Sequence, residues 1–275
     1  MAFTSQRHPV KTMDHVNIGA LARMALMTLL TCVLCAFLVG CASAPAENSS
    51  KTESLSASDT PATPDGASSG AIENPIDFKS WKAENGDIYA WLHVPGTAVN
   101  APVLQSSLDD NFYLTHDIYL NESAVGALYT QRKNAKDFTD PVTLMYGHTF
   151  EEWQADLKDE GFGTLHNFED PDFFASHENF YIYLPDKVLT YQVVSAYEYD
   201  DRHIINTFDF SDETVVQQYF DYVTNPDSTV KNVREGITLT AGKNRIVQLS
   251  TCTRPDNYSA RYLVTGVLVD EQRTI

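Results

Sequence analysis

Basic side chains are scarce in this sequence. Lys and Arg number 19 against 37 Asp and Glu, a formal charge of -18 over 275 residues, and that balance opposes any surface meant to hold a phosphate backbone. A nucleic-acid partner is therefore not expected. Cysteine is scarcer still, with four in the whole chain, too few to staple a fold of this length through disulfides. No internal repeat is visible, and the acids scattered between Asp109 and Asp270 lack EF-hand spacing, so neither a solenoid nor that kind of calcium site is expected. Long unbroken apolar runs are missing too, with one exception near the N-terminus. Apolar material is plentiful. At 43% hydrophobic and 11% aromatic, the chain can bury a large core and does not have the composition of a disordered protein.

The exception is Met24 to Gly40, which carries no charge and follows Arg7, Lys11 and Arg23, set against the single acid Asp14. Residues 1–41 read as an export signal or membrane anchor, with the basic residues held in the cytoplasm and everything after residue 41 outside it. Leu38-Val39-Gly40-Cys41 has the form of a bacterial lipobox, which makes Cys41 a candidate lipidation site. In the alternative, the anchor stays uncleaved and Cys41 is an incidental small residue. Both leave the protein tethered to the membrane. Cys32 and Cys35 form a C-x-x-C pair inside the apolar run, where a metal would find no polar second shell, so they read as small apolar residues in lipid. Residues 42–71 are Ala, Ser, Thr, Pro, Asp and Glu with almost no large apolar side chain, and such a segment is expected to be a flexible linker reaching roughly 30 Å.

Residues 72–275 form the folded part. From Pro75 onward, short apolar or alternating runs are separated by Gly, Pro, Asn and Asp, which predicts a mostly β domain. The candidate strands are Tyr89–Val94, Val99–Leu104, Gly126–Thr130, Val142–Tyr146, Phe180–Leu184, Leu189–Tyr199, Arg245–Thr251 and Arg261–Val269. Eight such strands suit a closed eight-stranded β-barrel. A few peripheral helices are expected at Phe78–Glu84, Glu152–Leu157 and Asp212–Val223. In the last of these, Val215, Val216, Tyr219, Phe220 and Val223 fall at helical spacing, with Ser211 placed to cap the start and Asn225-Pro226 to end it.

Cys252 is the one cysteine beyond the N-terminal segment. It is a buried small hydrophobe, a link to another chain, or a reactive thiol. Leu249-Ser250-Thr251-Cys252-Thr253 ends an apolar strand and opens a polar loop, so the thiol lies at a strand end, where a scaffold presents groups on a rigid edge. A nucleophilic thiol needs a base, usually histidine. Of the eight histidines, His8 and His15 precede the anchor, leaving His93, His116, His148, His166, His177 and His203. His148 is the favourite because it follows a strand and Gly147, which permits a sharp turn, although spacing alone does not settle the choice. Acyl transfer also needs a group to hold charge on the carbonyl oxygen. Arg261 opens the strand after the cysteine loop and would lie beside Cys252 in an antiparallel pairing; Arg254 is nearer in sequence but sits in the loop.

Together these residues carry a resemblance. Ile88-Tyr89-Ala90-Trp91-Leu92, Val94-Pro95-Gly96-Thr97, Pro102-Val103, Tyr113-Leu114 with His116-Asp117, Tyr146-Gly147-His148, Phe180-Tyr181-Ile182-Tyr183, and Leu249-Ser250-Thr251-Cys252 with Arg261-Tyr262 resemble the sortases, cysteine transpeptidases of the Gram-positive cell surface, and in detail class B. The resemblance spans roughly Ile76 to Val269 and includes a helix before the penultimate strand. The family's Thr-Leu-x-Thr-Cys begins here with Gln248, a side chain expected near the substrate groove. The resemblance implies Cys252, His148 and Arg261 as catalytic residues and no metal or cofactor; Thr251 and Ser250, just before the thiol, are substrate-binding candidates by their position. It further implies an exported substrate with a C-terminal sorting signal, cleaved after threonine, and an acceptor amine on a peptidoglycan precursor or a pilin. Two alternatives remain open on the residues alone: a thiol hydrolase using the same three side chains, or a non-enzymatic surface lipoprotein.

Overall fold

Residues 71–150, 156–157, 159–254 and 257–275 are described by a computed structural model. The anchor with Cys32, Cys35 and Cys41, the linker up to residue 70, and most of the helix expected at Glu152–Leu157 lie outside the described residues. Among the described residues, no helix is long and apolar enough to cross a membrane.

The alternating runs become strands β1 (Ile88–His93), β2 (Asn100–Leu104), β3 (Leu128–Thr130), β4 (Val142–Tyr146), β5 (Asn179–Leu184), β6 (Lys187–Asp200), β7 (Lys231–Val233), β8 (Ile246–Arg254) and β9 (Asn257–Arg273). Their order is β5-β1-β2-β3-β4-β8-β9-β6-β7, and β5 also pairs with β6. That extra pairing closes eight strands into a barrel and leaves β7 attached outside it, along β6. Alternation is cleanest in β5, where Phe180, Ile182 and Leu184 are buried, as expected for a strand with one face on a core. The barrel interior is filled by Leu92, Val103, Met145, Phe180, Tyr191, Val247, Leu249 and Tyr262, among others.

Helix α1 (Phe78–Glu84) is the expected entry helix, capped by Asp77. Two short helices were not evident in the sequence, α2 (Pro171–Ser176) and α3 (Ile204–Thr207). The last helix, α4 (Glu213–Thr224), covers one flank of the barrel with Val216, Tyr219, Phe220 and Val223. Its cap is Asp212, whose carboxylate accepts from the Thr214 N–H at 2.8 Å; Ser211 instead donates its hydroxyl to Asp209. Asp and Ser are near-equal caps, and the adjacent acid takes the position here.

Gln248 faces α4, where it is completely buried, and not the groove expected from the sequence. Its Oε1 accepts from the Tyr219 hydroxyl at 2.6 Å, and its Nε2 donates to the Tyr197 hydroxyl and to Thr265 Oγ1 at 3.1 and 3.0 Å. The network joins the helix to the strand that carries the thiol. Removing its centre strands buried hydroxyls, each costing about 1–3 kcal/mol. Gln248→Leu is therefore expected to lose roughly 2–3 kcal/mol of stability, read as a lower urea midpoint with unchanged slope.

Candidate active site

Parallel pairing sets β4 beside β8, with Tyr146 opposite Ser250, and the Gly147 N–H continues the ladder to the Ser250 carbonyl at 3.2 Å. Antiparallel pairing sets β9 on the other side of β8, with Cys252 directly opposite Arg261. The ends of three neighbouring strands thus converge. A cavity of about 310 Å³ at this point is lined by His148, Cys252 and Arg261, together with Leu114, Tyr129, Tyr146, Ser250, Thr251 and the Asp201–Ile204 segment. All three sequence-predicted catalytic candidates border one space, and each is half-buried. Arg254 does not line it; that residue pairs with Asn257 at the exposed hairpin end. A larger cavity, about 790 Å³, lies between α4 and the end of β6, but it contains none of the three and meets the thiol cavity through Arg202, which lines both.

His148 is held at two points. Its Nε2 donates to the Leu114 carbonyl at 2.7 Å, and its own carbonyl accepts from the Phe162 N–H, also at 2.7 Å. With Nε2 committed to a carbonyl, Nδ1 is the nitrogen left for proton transfer. Gly147 serves this placement differently from the expectation. It is not among the residues with positive φ, so no unusual turn demands glycine. A Cβ there would sit 2.6 Å from Leu128 Cδ2 and 2.8 Å from Phe162 Cδ2, so close packing excludes any side chain. Gly161 does require its residue type, with φ at +55° and a Cβ that would press 2.6 Å from the His148 carbonyl.

Thr251 and Ser250 both border the cavity. Thr251 Oγ1 is buried without a hydrogen-bond partner among the described residues, and so is the Tyr146 hydroxyl. In the sequence Tyr146 enters only through Tyr146-Gly147-His148 and as a strand end, because a tyrosine ending a strand is ordinary. Burial raises the Tyr129 phenol to about 12, the Arg261 charge partly opposing the rise, and lifts Tyr146 further still. Both therefore stay neutral around pH 7. Among the described residues no cluster of His, Cys, Asp and Glu has the form of a metal site.

A barrel with thiol, imidazole and guanidinium at converging strand ends is the architecture of a thiol acyltransferase. Residues 92–269 match the sortase domain family, and the chain belongs to the sortases, which are cysteine transpeptidases. Within that family it is of class B. Sortase B of Listeria monocytogenes is 30% identical over 193 residues, covering 67% of this chain and 71% of that one. The structure of Clostridium perfringens sortase B superimposes with a TM-score of 0.61 at 26% identity, covering 70% of this chain and all of that one. A Streptococcus pyogenes class B sortase involved in pilus biogenesis gives a TM-score of 0.56 at 25% identity, over 70% of this chain and 98% of that one. Family membership decides against the non-enzymatic surface protein.

Proposed function

We propose that this sortase is held at the membrane by residues 1–41, through an uncleaved anchor or a lipid on Cys41, that residues 42–71 are its linker, and that it joins exported proteins to an amine acceptor. Cys252 is the nucleophile, His148 the acid and base, and Arg261 the oxyanion donor. The observation that carries this reading is the Cys252–Arg261 pair across β8 and β9 with His148 on the same cavity. The Cys252 thiolate attacks the threonine carbonyl carbon of a C-terminal sorting signal. A C–S bond forms, Arg261 holds the oxyanion, and the C–N bond breaks as His148 gives a proton to the departing amine. The acceptor amine then attacks the thioester and passes its proton to His148, and the thiolate leaves. A peptidoglycan precursor or a pilin supplies that amine.

The purified full chain, offered a peptide library with and without candidate amines, tests this by product mass. New amide products that need the amine are expected. Hydrolysed peptide in both arms would make water the acceptor and the protein a hydrolase. Arg261→Ala is expected to lose roughly a hundred- to a thousandfold in kcat, whereas Arg254→Ala stays within about twofold, as for other exposed side chains. The reverse order would overturn the assignment.

A further inference from the structure

His166 is one of six histidines beyond the N-terminal segment, and nothing in the sequence connects it to Cys252, 86 positions away. The fold connects them. Strand β8 is covered on one side by β4 only as far as Gly147, whose N–H takes the Ser250 carbonyl. Two residues further on, the Cys252 carbonyl points to that same side, but the chain has already turned away at His148. An imidazole fills the gap: His166 Nε2 lies 3.0 Å from the Cys252 oxygen. A carbonyl only accepts, so the ring donates.

The ring is itself restrained. Nδ1 lies 2.6 Å from Glu169 Oε1, and the imidazole stacks on Tyr262, with centroids 4.8 Å apart and planes at 25°. Tyr262 is the residue opposite Thr251, one position before the thiol. The 3₁₀ segment Gly163–Glu169 that carries both His166 and Glu169 is anchored in the core by Leu165 and Phe168. Its far end is fixed to β7, where Asn232 Nδ2 donates to the Phe168 and Glu169 carbonyls at 2.8 and 3.0 Å.

We propose that His166 is a positioning residue for the nucleophile, its ring N–H replacing the missing ladder donor at the Cys252 carbonyl, with Glu169 and Tyr262 holding the ring. This rests on reading Cys252 as the nucleophile. His166 acts on the peptide group behind the thiol, so its loss is expected to slow the acylation step without weakening peptide binding.

His166→Phe keeps a flat ring on Tyr262 and removes the donor, whereas His166→Gln restores an N–H at similar reach. In the full chain, His166→Phe is expected to lower kcat for peptide acylation roughly tenfold at an unchanged KM, with His166→Gln recovering to within about threefold of wild type. Labelling cysteine carbonyl carbons with ¹³C provides a readout that needs no turnover. The Cys252 signal, identified by its loss in Cys252→Ala, should move in His166→Phe and return toward wild type in His166→Gln. Glu169→Gln alters a half-exposed side chain and serves if His166→Phe does not fold; it should move the same signal part of the way. An unmoved carbonyl signal with wild-type kcat in His166→Phe overturns the proposal, as does a His166→Gln enzyme no faster than His166→Phe, or an unmoved signal in Glu169→Gln. If the wild-type chain acylates no sorting-signal peptide, the proposed reaction fails, and the carbonyl signal still decides whether His166 holds Cys252.

Discussion

Cys252→Ala is expected to bring cleavage of sorting-signal peptides down to background while the barrel stays folded. No other thiol lies among the described residues, so no neighbour can take over bond formation. Removing the nucleophile of an acyl-transfer site that works as a unit costs on the order of a millionfold. Stability should hardly respond, because the side chain is small and half-buried at the strand end. A shift in Tm within about 4 °C is expected, corresponding to roughly 1 kcal/mol for a domain of this size. Mass spectrometry sharpens the outcome: wild type trapped with a slow substrate should carry the acyl fragment, and Cys252→Ala should carry none. Retained cleavage by the alanine variant would remove Cys252 from the chemistry altogether.

His148→Ala is expected to lose roughly a hundred- to ten-thousandfold in kcat, the usual contribution of a positioned acid and base. The contact with Leu114 offers a way to separate chemistry from support. Nε2 donates to the Leu114 carbonyl, and a glutamine side chain presents an N–H at comparable reach. His148→Gln therefore preserves the tether and removes the proton carrier. It should be nearly as impaired as alanine, with KM close to wild type. Were glutamine largely active, His148 would be holding the Leu114 loop in place and the proton would be moving through another group. In the proposed mechanism the same imidazole protonates the leaving amine and deprotonates the incoming one, so both half-reactions should slow together, a result that single-turnover assays of acylation and of aminolysis can check separately.

The parts of this molecule that could be anticipated from sequence share a physical property: their signal is local. Eight barrel strands announce themselves because each repeats apolar residues at period two or as a short apolar run, and α4 does so at helical period. The three-residue strand β7 carries no such pattern. Lys231–Val233 is a strand because β6 pairs with it, and pairing partners are not written into three residues. Cys252 and Arg261 could be joined beforehand because one hairpin links them, and a hairpin is the shortest route between two strands. His148 was legible from its place at the end of β4. The Leu114 carbonyl and His166 were not, since contacts spanning 34 and 86 positions arise from how loops settle on the closed barrel. Gly147 shows a subtler limit. A sharp turn was the expected reason for glycine there, but the cause lies in Leu128 and Phe162 crowding the backbone, which only the packed structure displays.

The pairing of β5 with β6 has a consequence for how an extended peptide is recognised. Once the ring of eight strands is complete, every barrel strand has a neighbour on each side, and among the described residues the edge left exposed within the sheet is β7, short and opened by an exposed lysine. A guest chain finds no full-length barrel edge to join as one more strand, the mode in which main-chain hydrogen bonds supply affinity whatever the sequence. Recognition then falls to individual side chains and loop carbonyls around the cavity mouth. A chain read in that way is selected residue by residue, so discrimination among peptides is decided at a few separable contacts and can be altered one contact at a time without disturbing the wall behind them.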